Sequence, residues 1–161
     1  KNIYILRPCM IHGPGNKGNL NLLYSVVRKG IPWPLGSYEN LRSFCSIDNI
    51  SYVVEQLIVK ENIASGIYHV GDDEPLSTNE LIGLISKSVG KKSRIWKLPK
   101  GLMDTAARVG GVLHLPLNKD RLQKLTENYV VSNNKIKRAL GIDRMPVSGR
   151  EGMQKTLESF R

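Results

Sequence analysis

The sequence predicts an α/β protein in which a few short strands are spread among five or six helices, with an α+β arrangement as the alternative. Short apolar runs rich in β-branched residues predict the strands. Apolar residues at helical spacing, together with two serine-initiated helix-start motifs, predict the helices. The 161 residues contain no internal repeat, low-complexity tract or clear linker, so one compact unit is expected.

The strands are predicted where apolar runs are bounded by turn-forming residues. The first run, NIYILR at residues 2–7, predicts a buried strand that a complete parallel sheet would cover on both faces and that has bare apolar faces where its sheet neighbours are missing. Further strands are expected at residues 43–47, 66–70 and 94–97, with an extended piece at 129–132.

The helices are predicted from periodicity and from their caps. Ser77–Glu80 and Ser148–Glu151 fit the capping box, in which each side chain satisfies a backbone amide of the first turn. Asp48 is expected to cap the helix that follows it, and Gly30 to end the first helix. Seven segments are candidates for these five or six helices, of which 117–124 is a short one: residues 19–29, 49–60, 78–88, 99–109, 117–124, 134–140 and 148–160.

The net charge of +10 calls for an anionic partner. Nucleic acid is disfavoured, because aromatic residues make up only 6% of the chain and no basic patch is interleaved with them. No apolar run reaches the roughly 18–20 residues that a membrane helix needs, so no membrane partner is expected. Cys9 and Cys45 are expected to be free buried thiols in a cytoplasmic protein.

A glycine-rich segment, GPGNKG at residues 13–18, follows a strand, precedes a helix and fits the pattern G-x-G-x-x-G. It is rejected as a pyrophosphate cradle, because Pro14 removes one of the amides that such a cradle offers and no acidic residue ends a second strand about 20 residues on. The three histidines have no metal-ligand spacing, and no nucleophile elbow is present.

Five segments in order, LRPCMIHGPGNKGNLNLL, IPWPLGSYEN, RSFCSIDNI, GIYHVGDDEPLSTNELI and SNNKIKRALGI, resemble successive blocks of the extended short-chain dehydrogenase/reductase family. The resemblance is closest to its UDP-glucose and UDP-N-acetylhexosamine 4-epimerases, and only to their C-terminal half. It implies a single substrate-binding module over residues 1–161, in which residues 1–18 are a remnant of a Rossmann-type sheet and its cofactor-side loop. The N-terminal NAD-binding domain is expected to be absent, which the start on Lys1 directly before a strand also suggests.

The resemblance also implies a set of substrate-binding residues. The family's arginine at the position of Arg42 grips the substrate diphosphate, and Arg121 resembles a second arginine of this kind. Asn19 corresponds to an asparagine that bonds the sugar or phosphate, although a helix N-cap is a compatible interpretation. Pro34 and Leu35 correspond to the segment that flanks the uracil ring, and Trp33 is placed either to stack on it or in the core.

On the cofactor side, Pro8, Cys9, Met10 and Ile11 match the strand end that lies against the nicotinamide. The family's catalytic Tyr-x-x-x-Lys is missing, since no tyrosine is followed four residues later by a lysine. The expected role is therefore the UDP-sugar-binding part of an NAD-dependent 4-epimerase that acts by transient oxidation at sugar C4, with this chain alone inactive.

Two alternatives stay open. Within the family, the complete protein could be a nucleotide-sugar dehydratase or a 4-keto reductase. In a different class, the chain could be a non-catalytic basic module that binds nucleotides or nucleic acid. A homodimer is left open.

Overall fold

A computed structural model describes residues 2–16, 18–112 and 119–160. The chain forms two compact units. The sheet unit consists of Lys1–Lys17, Arg42–Leu76 and Val130–Arg161, and the helical unit of Gly18–Leu41 and Ser77–Tyr129. The chain therefore passes between the two units four times. That the two units act as a single substrate-binding module stays a prediction.

The elements confirm the α/β class, with seven helices in the described ranges where five or six were expected. The strands are β1 (Tyr4–Pro8), β2 (Met10–His12), β3 (Leu41–Arg42), β4 (Phe44–Ser46), β5 (Gly66–Val70) and β6 (Leu76–Ser77). The helices are α1 (Asn19–Arg28), α2 (Ile47–Val59), α3 (Thr78–Ser88), α4 (Lys100–Val112), α5 (Lys119–Thr126), α6 (Asn134–Leu140) and α7 (Gly149–Glu158).

The sheet unit contains two parallel strand pairs, β1 with β5 and β2 with β4. In the first pair Leu6 is opposite Tyr68 on a covered face, and Ile5 is opposite Ile67 on the other face. Ile5 is 49% exposed and Ile67 is 39% exposed. Because side chains alternate along a strand, one face of this pair packs into the core and the other is open.

The core of the sheet unit lies between the covered face and the helices α2 and α6. Val53 of α2 and Ile136 of α6 are fully buried in one apolar cluster with Val70 of β5. Strands β2 and β4 contact α7. Helices thus pack on a parallel sheet, as the crossover connections of such a sheet require.

In the helical unit, α1 packs on α3 and α4 packs on α5. The apolar positions of α1 and α3 recur at helical spacing, and those that are buried include Leu20, Tyr24, Leu81 and Ile85. The strand expected at residues 94–97 is present only as two isolated bridges, in which Ile95 pairs with Trp33 and Lys97 with Leu35. No helix in the described ranges is long and apolar enough to cross a membrane.

The helix ends confirm most of the predicted caps and correct one. Both capping boxes form, at Ser77 and at Ser148, and Gly30 follows α1 with a φ of +77°. The prediction that Asp48 caps α2 is wrong, because the helix begins at Ile47 and Ser46 Oγ accepts a hydrogen bond from Asn49 N at 3.2 Å. Asp48 lies in the first turn and instead binds Lys155 Nζ at 2.8 Å.

The two cysteines are free and buried, as expected. Burial raises the pKa of Cys9 to about 11 and that of Cys45 to about 12. Both side chains therefore stay protonated at neutral pH, which excludes a thiolate nucleophile at either position.

Asp73 joins the end of β5 to α6 and to the loop after α6. Its carboxylate accepts hydrogen bonds from Lys137 Nζ at 2.7 Å, Asn133 Nδ2 at 2.9 Å and Met145 N at 2.8 Å. Burial raises the pKa of this carboxyl group, but the hydrogen bonds outweigh that effect and the net shift is downward from 3.8.

We expect Asp73→Asn to lower the free energy of unfolding at pH 7 by about 2 kcal/mol, the usual size of a hydrogen bond to a charged group. A depressed folded-state pKa stabilises the protein above the unfolded-state pKa, and this contribution is lost as pH falls through the folded-state value. Urea unfolding from pH 7 to pH 3.5 should therefore show the difference shrinking below about pH 4. The exposed Asp143→Asn serves as the control, and a difference that stays constant with pH would contradict this account.

The open face of β1 and β5 should make the isolated chain self-associate, because exposed apolar strand faces promote association. We expect the double variant Ile5→Lys/Ile67→Lys to reduce association in sedimentation velocity at high concentration. Leu22→Lys, at a 69% exposed apolar position on α1, is the matched control and should leave association unchanged. A strictly monomeric wild-type chain, or an equal effect of the control, would show this expectation to be wrong.

Candidate functional site

The predicted cofactor-side residues lie where β1 ends and β2 begins. Pro8 is the last residue of β1, Cys9 is buried between the strands, and Met10 and Ile11 open β2. Cys9 N and Cys9 Sγ both donate to Val70 O, at 3.0 and 3.2 Å. The segment is thereby fixed at the carboxyl end of a parallel strand pair, the edge at which α/β sheets bind ligands.

The residues of this segment fit one wall of a cofactor site. Ile11 is exposed and Met10 is half-buried, so apolar surface is available to a flat ring such as a nicotinamide. In the glycine-rich segment that follows, packing accounts for Gly13, since a Cβ there would lie 2.7 Å from Ile47 Cγ2, whereas Gly15 adopts a φ of +76°. The rejection of GPGNKG as a pyrophosphate cradle stays a prediction.

A buried polar network lies directly beneath this edge. Asp72 Oδ1 accepts hydrogen bonds from Ser46 N at 2.9 Å and from Asn49 Nδ2 at 2.7 Å. Asp72 Oδ2 lies 3.3 Å from His12 Nε2, and His12 Nδ1 lies 2.9 Å from Thr156 Oγ1. All five residues are buried. The network therefore holds β2, β4, α2 and α7 together and positions the strand ends.

Sequence reasoning missed this network. It treated His12 only as a candidate metal ligand and gave no role to Asp72. A positional signal existed only for Asp72, which follows the predicted strand at residues 66–70, because β2, the strand that ends at His12, was not predicted. In the described part of the chain, no group of three or more His, Cys, Asp or Glu side chains is placed to hold a metal ion.

Arg42, the predicted diphosphate ligand, is half-buried at the end of β3. The next residue, Ser43, is buried, and its Oγ accepts a hydrogen bond from Val131 N at 3.0 Å. This bond anchors the backbone beside Arg42. Arg121 lies within α5, but its side chain is outside the described residues.

Asn19 is the first residue of α1 and is exposed. The N-cap interpretation is wrong, because Gly18 holds the cap position and no side chain caps the helix. The first turn also contains no acidic residue. Asn21 N in this turn donates to Gly18 O at 3.1 Å. The positive end of the helix dipole lies at the start of α1, which is favourable to an anion.

The predicted base-binding segment is held rigidly within the helical unit. Trp33 N donates to Arg94 O, and Trp96 N donates to Trp33 O, both at 2.8 Å. Trp33 is 9% exposed and Leu35 is buried, whereas Pro34 is half-buried. Packing thus accounts for the tryptophan side chain, and its stacking on a base stays a prediction.

Asn79 is a positioning residue for this segment that sequence reasoning did not single out. Its Nδ2 donates to Gly36 O at 3.2 Å and to Tyr38 O at 3.3 Å. The first turn of α3 therefore holds the loop that follows Pro34 and Leu35. The sequence showed only that Asn79 lies inside a capping box, which does not reveal the direction of its side chain.

No protein-family model matches the chain. Along its sequence, the chain is similar to the UDP-glucose 4-epimerase of Vibrio cholerae, with 30% identity over 159 residues. That alignment covers 98% of this chain and 46% of the Vibrio enzyme. The chain thus spans about half the length of this curated relative.

Solved structures show the same partial coverage. The UDP-N-acetylglucosamine 4-epimerase of Bacillus cereus superposes with a TM-score of 0.67 at 16% identity, over 97% of this chain and 47% of that one. The Bordetella bronchiseptica enzyme WbmG, solved in complex with NAD and UDP, superposes with a TM-score of 0.67 at 14% identity, over 99% of this chain and 43% of that one. The fold is therefore that of part of a Rossmann-type enzyme. Together with the sequence relative, this confirms the predicted resemblance to the UDP-sugar 4-epimerases and related NAD-dependent epimerase/dehydratases of the extended short-chain dehydrogenase/reductase family, and the chain is similar to a little less than half of such an enzyme.

Proposed function

We propose that this chain is the nucleotide-sugar-binding part of an NAD-dependent 4-epimerase and that its substrate is a UDP-sugar. The observation that carries the proposal is the similarity to a UDP-glucose 4-epimerase along 98% of the chain. A coverage of 46% of that enzyme is consistent with the C-terminal half that the order of the motifs predicts.

The chemistry of the chain supports an anionic nucleotide as the ligand. A diphosphate carries about two negative charges, which guanidinium groups and helix N-termini offset well. The helical unit offers the start of α1 with Asn19, and the sheet unit offers Arg42. Pro34 and Leu35 would flank the base, and the Asn79 side chain would keep that loop in place.

In the complete protein, NAD would supply the hydride acceptor and donor for transient oxidation at sugar C4. The residues of this chain would hold the nucleotide as a handle, so that binding energy remote from the reacting carbon orients the sugar. Met10 and Ile11 would exclude water on the cofactor side. The proton transfer of the family is assigned to the Tyr-x-x-x-Lys that this chain lacks.

A dehydratase or a 4-keto reductase would use the same nucleotide handle, because these reactions differ at the sugar. A basic nucleic-acid-binding module remains the alternative of a different class. It would bind a single-stranded oligonucleotide more tightly than UDP-glucose and without dependence on Arg42. The cytoplasmic location is part of the proposal and is supported by the two free thiols.

We expect Arg42→Ala to weaken UDP binding to the chain by about 1.5–3 kcal/mol, the scale of a hydrogen bond to a charged group. In calorimetry this corresponds to a loss of affinity of roughly 10- to 150-fold. Arg42→Lys should recover only part of it, because lysine cannot form a bidentate contact. Arg144→Ala, at an exposed position, is the matched control. Equal affinities for wild type and Arg42→Ala would refute the role of Arg42.

We expect the isolated 161-residue chain to have no epimerase activity with added NAD, because it lacks both the Tyr-x-x-x-Lys motif and the glycine-rich dinucleotide-binding unit. The measurement is interconversion of UDP-glucose and UDP-galactose, with the complete Vibrio cholerae enzyme as the positive control. Turnover above that of a mock preparation would show that the missing proton transfer has another source.

A further inference from the structure

A basic pocket lies entirely within the helical unit and contains none of the residues predicted to bind the nucleotide. Its volume is about 480 Å³, and it is formed by the end of α1, the second half of α3 and the loop that follows α3. Four cationic side chains line it, Lys29, Lys91, Lys92 and Arg94, and no acidic side chain does. A ligand of this pocket would therefore contact a different set of residues from the proposed nucleotide site.

Two of these cations are held in place by the end of α1. Lys91 Nζ donates to Arg28 O, and an Arg94 Nη1 donor reaches Gly30 O at 3.4 Å. An ammonium group has three donors and a guanidinium five, so both keep donors beyond those the helix end uses. The end of α1 thus holds the Lys91 and Arg94 side chains in place and leaves most of their hydrogen-bond donors available to a ligand.

The charges in the pocket exceed what the helix ends require. The C-termini of α1 and α3 each carry about half a negative charge, or about one together. Four lining cations leave a surplus of about three positive charges in a unit that holds twelve basic and five acidic residues. Capping of the two helices therefore does not account for Lys29 and Lys92, which are both exposed.

A buried hydroxyl in the pocket is an independent indication of a ligand. Ser86 lines the pocket and is 2% exposed, and its Oγ makes no hydrogen bond within the described part of the chain. A buried hydroxyl without a partner is unfavourable unless a bound group satisfies it. Beside Ser86 the lining is apolar, with Val27, Ile31 and Ile82.

We propose that this pocket binds a phosphate group, as the end of a larger molecule with an apolar body next to the phosphate. A phosphate carries between one and two negative charges at neutral pH and has several acceptor oxygens, which matches clustered ammonium and guanidinium donors and one hydroxyl. The apolar side chains Val27, Ile31 and Ile82 would contact the carbon chain of a phosphate ester. The site is independent of the proposed UDP-sugar site, and it remains if that assignment fails.

The test uses the 161-residue chain and backbone amide NMR at constant ionic strength, with chloride as the reference anion. Inorganic phosphate and n-butyl phosphate are the probes. We expect saturable shifts of the Ser86, Lys91 and Lys92 amides, with butyl phosphate binding at least fivefold more tightly than inorganic phosphate. Lys29→Gln/Lys92→Gln should weaken binding at least fivefold, and Ser86→Ala at least twofold.

The matched control is Lys87→Gln, which removes an exposed cation from the last turn of α3 that does not line the pocket. It should leave the affinity within twofold of wild type, and unchanged amide spectra elsewhere show that each variant is folded. Shifts that rise linearly without saturation, in the absence of vesicle binding that depends on Lys29 and Lys92, or an equal loss in Lys87→Gln, would overturn the proposal.

A second arm identifies the source of the phosphate. Phosphatidylcholine vesicles with and without phosphatidic acid are sedimented with the chain. Binding to phosphatidic acid that is lost in Lys29→Gln/Lys92→Gln, without saturable binding of butyl phosphate, assigns a lipid headgroup. Saturable binding of butyl phosphate without vesicle binding assigns a free ester. Vesicle binding that the double variant leaves unchanged, with no saturable probe binding, overturns the site.

Discussion

The sheet unit depends on one buried carboxylate, that of Asp72. Removing a carboxylate from water costs several kcal/mol unless hydrogen bonds or opposite charges compensate it. Asp72 meets this requirement with donors from the start of α2 and with the ring of His12 on β2. Because these partners come from distant parts of the chain, the carboxylate is satisfied only when β2, β4 and α2 are all in their native places.

The need to satisfy the Asp72 carboxylate also fixes the strand ends that the proposed function uses, where Met10 and Ile11 lie. Asn49 bonds Asp72 and also exchanges two hydrogen bonds with the backbone of Val147, so the network reaches the segment before α7. Gly152 allows α7 to come close, since a Cβ there would lie 2.8 Å from Ser46 Cβ. Met10 and Ile11 are thus held on a rigid support, which is what a cofactor wall needs for precise positioning.

The sequence predicted those parts of the fold that local physics determines. The boundaries of β5, α3 and α6 and both capping boxes were correct, because apolar periodicity and caps act over a few residues. The N-cap of α2 was predicted at the wrong residue, because Ser46 and Asp48 lie two positions apart and the side chain of either can accept an amide hydrogen bond. The order of several motifs along the chain predicted the family resemblance and the NAD binding of the family's members.

What could not be predicted depends on contacts between distant residues. His12 and Asp72 are 60 positions apart, and the amide of Asn79 reaches carbonyls 43 and 41 positions earlier. The phosphate pocket combines the end of one helix with a loop about 60 residues later. Lysines near helix ends are usually solvated surface charges, and the buried hydroxyl of Ser86 is what distinguishes those of this pocket.

The fourfold passage of the chain between the two units has a consequence for the order of folding. Thr156 meets His12 across 144 positions, and the whole helical unit is encoded between the segments that form the sheet unit. Contacts of such sequence separation form slowly, because the intervening loop must close before they contribute any free energy. During synthesis, β1 and β2 therefore leave the ribosome long before α7 exists. The parts of β2 and β4 that α7 covers therefore stay uncovered until the last helix has been made, and exposed apolar surface of this kind promotes aggregation and chaperone binding.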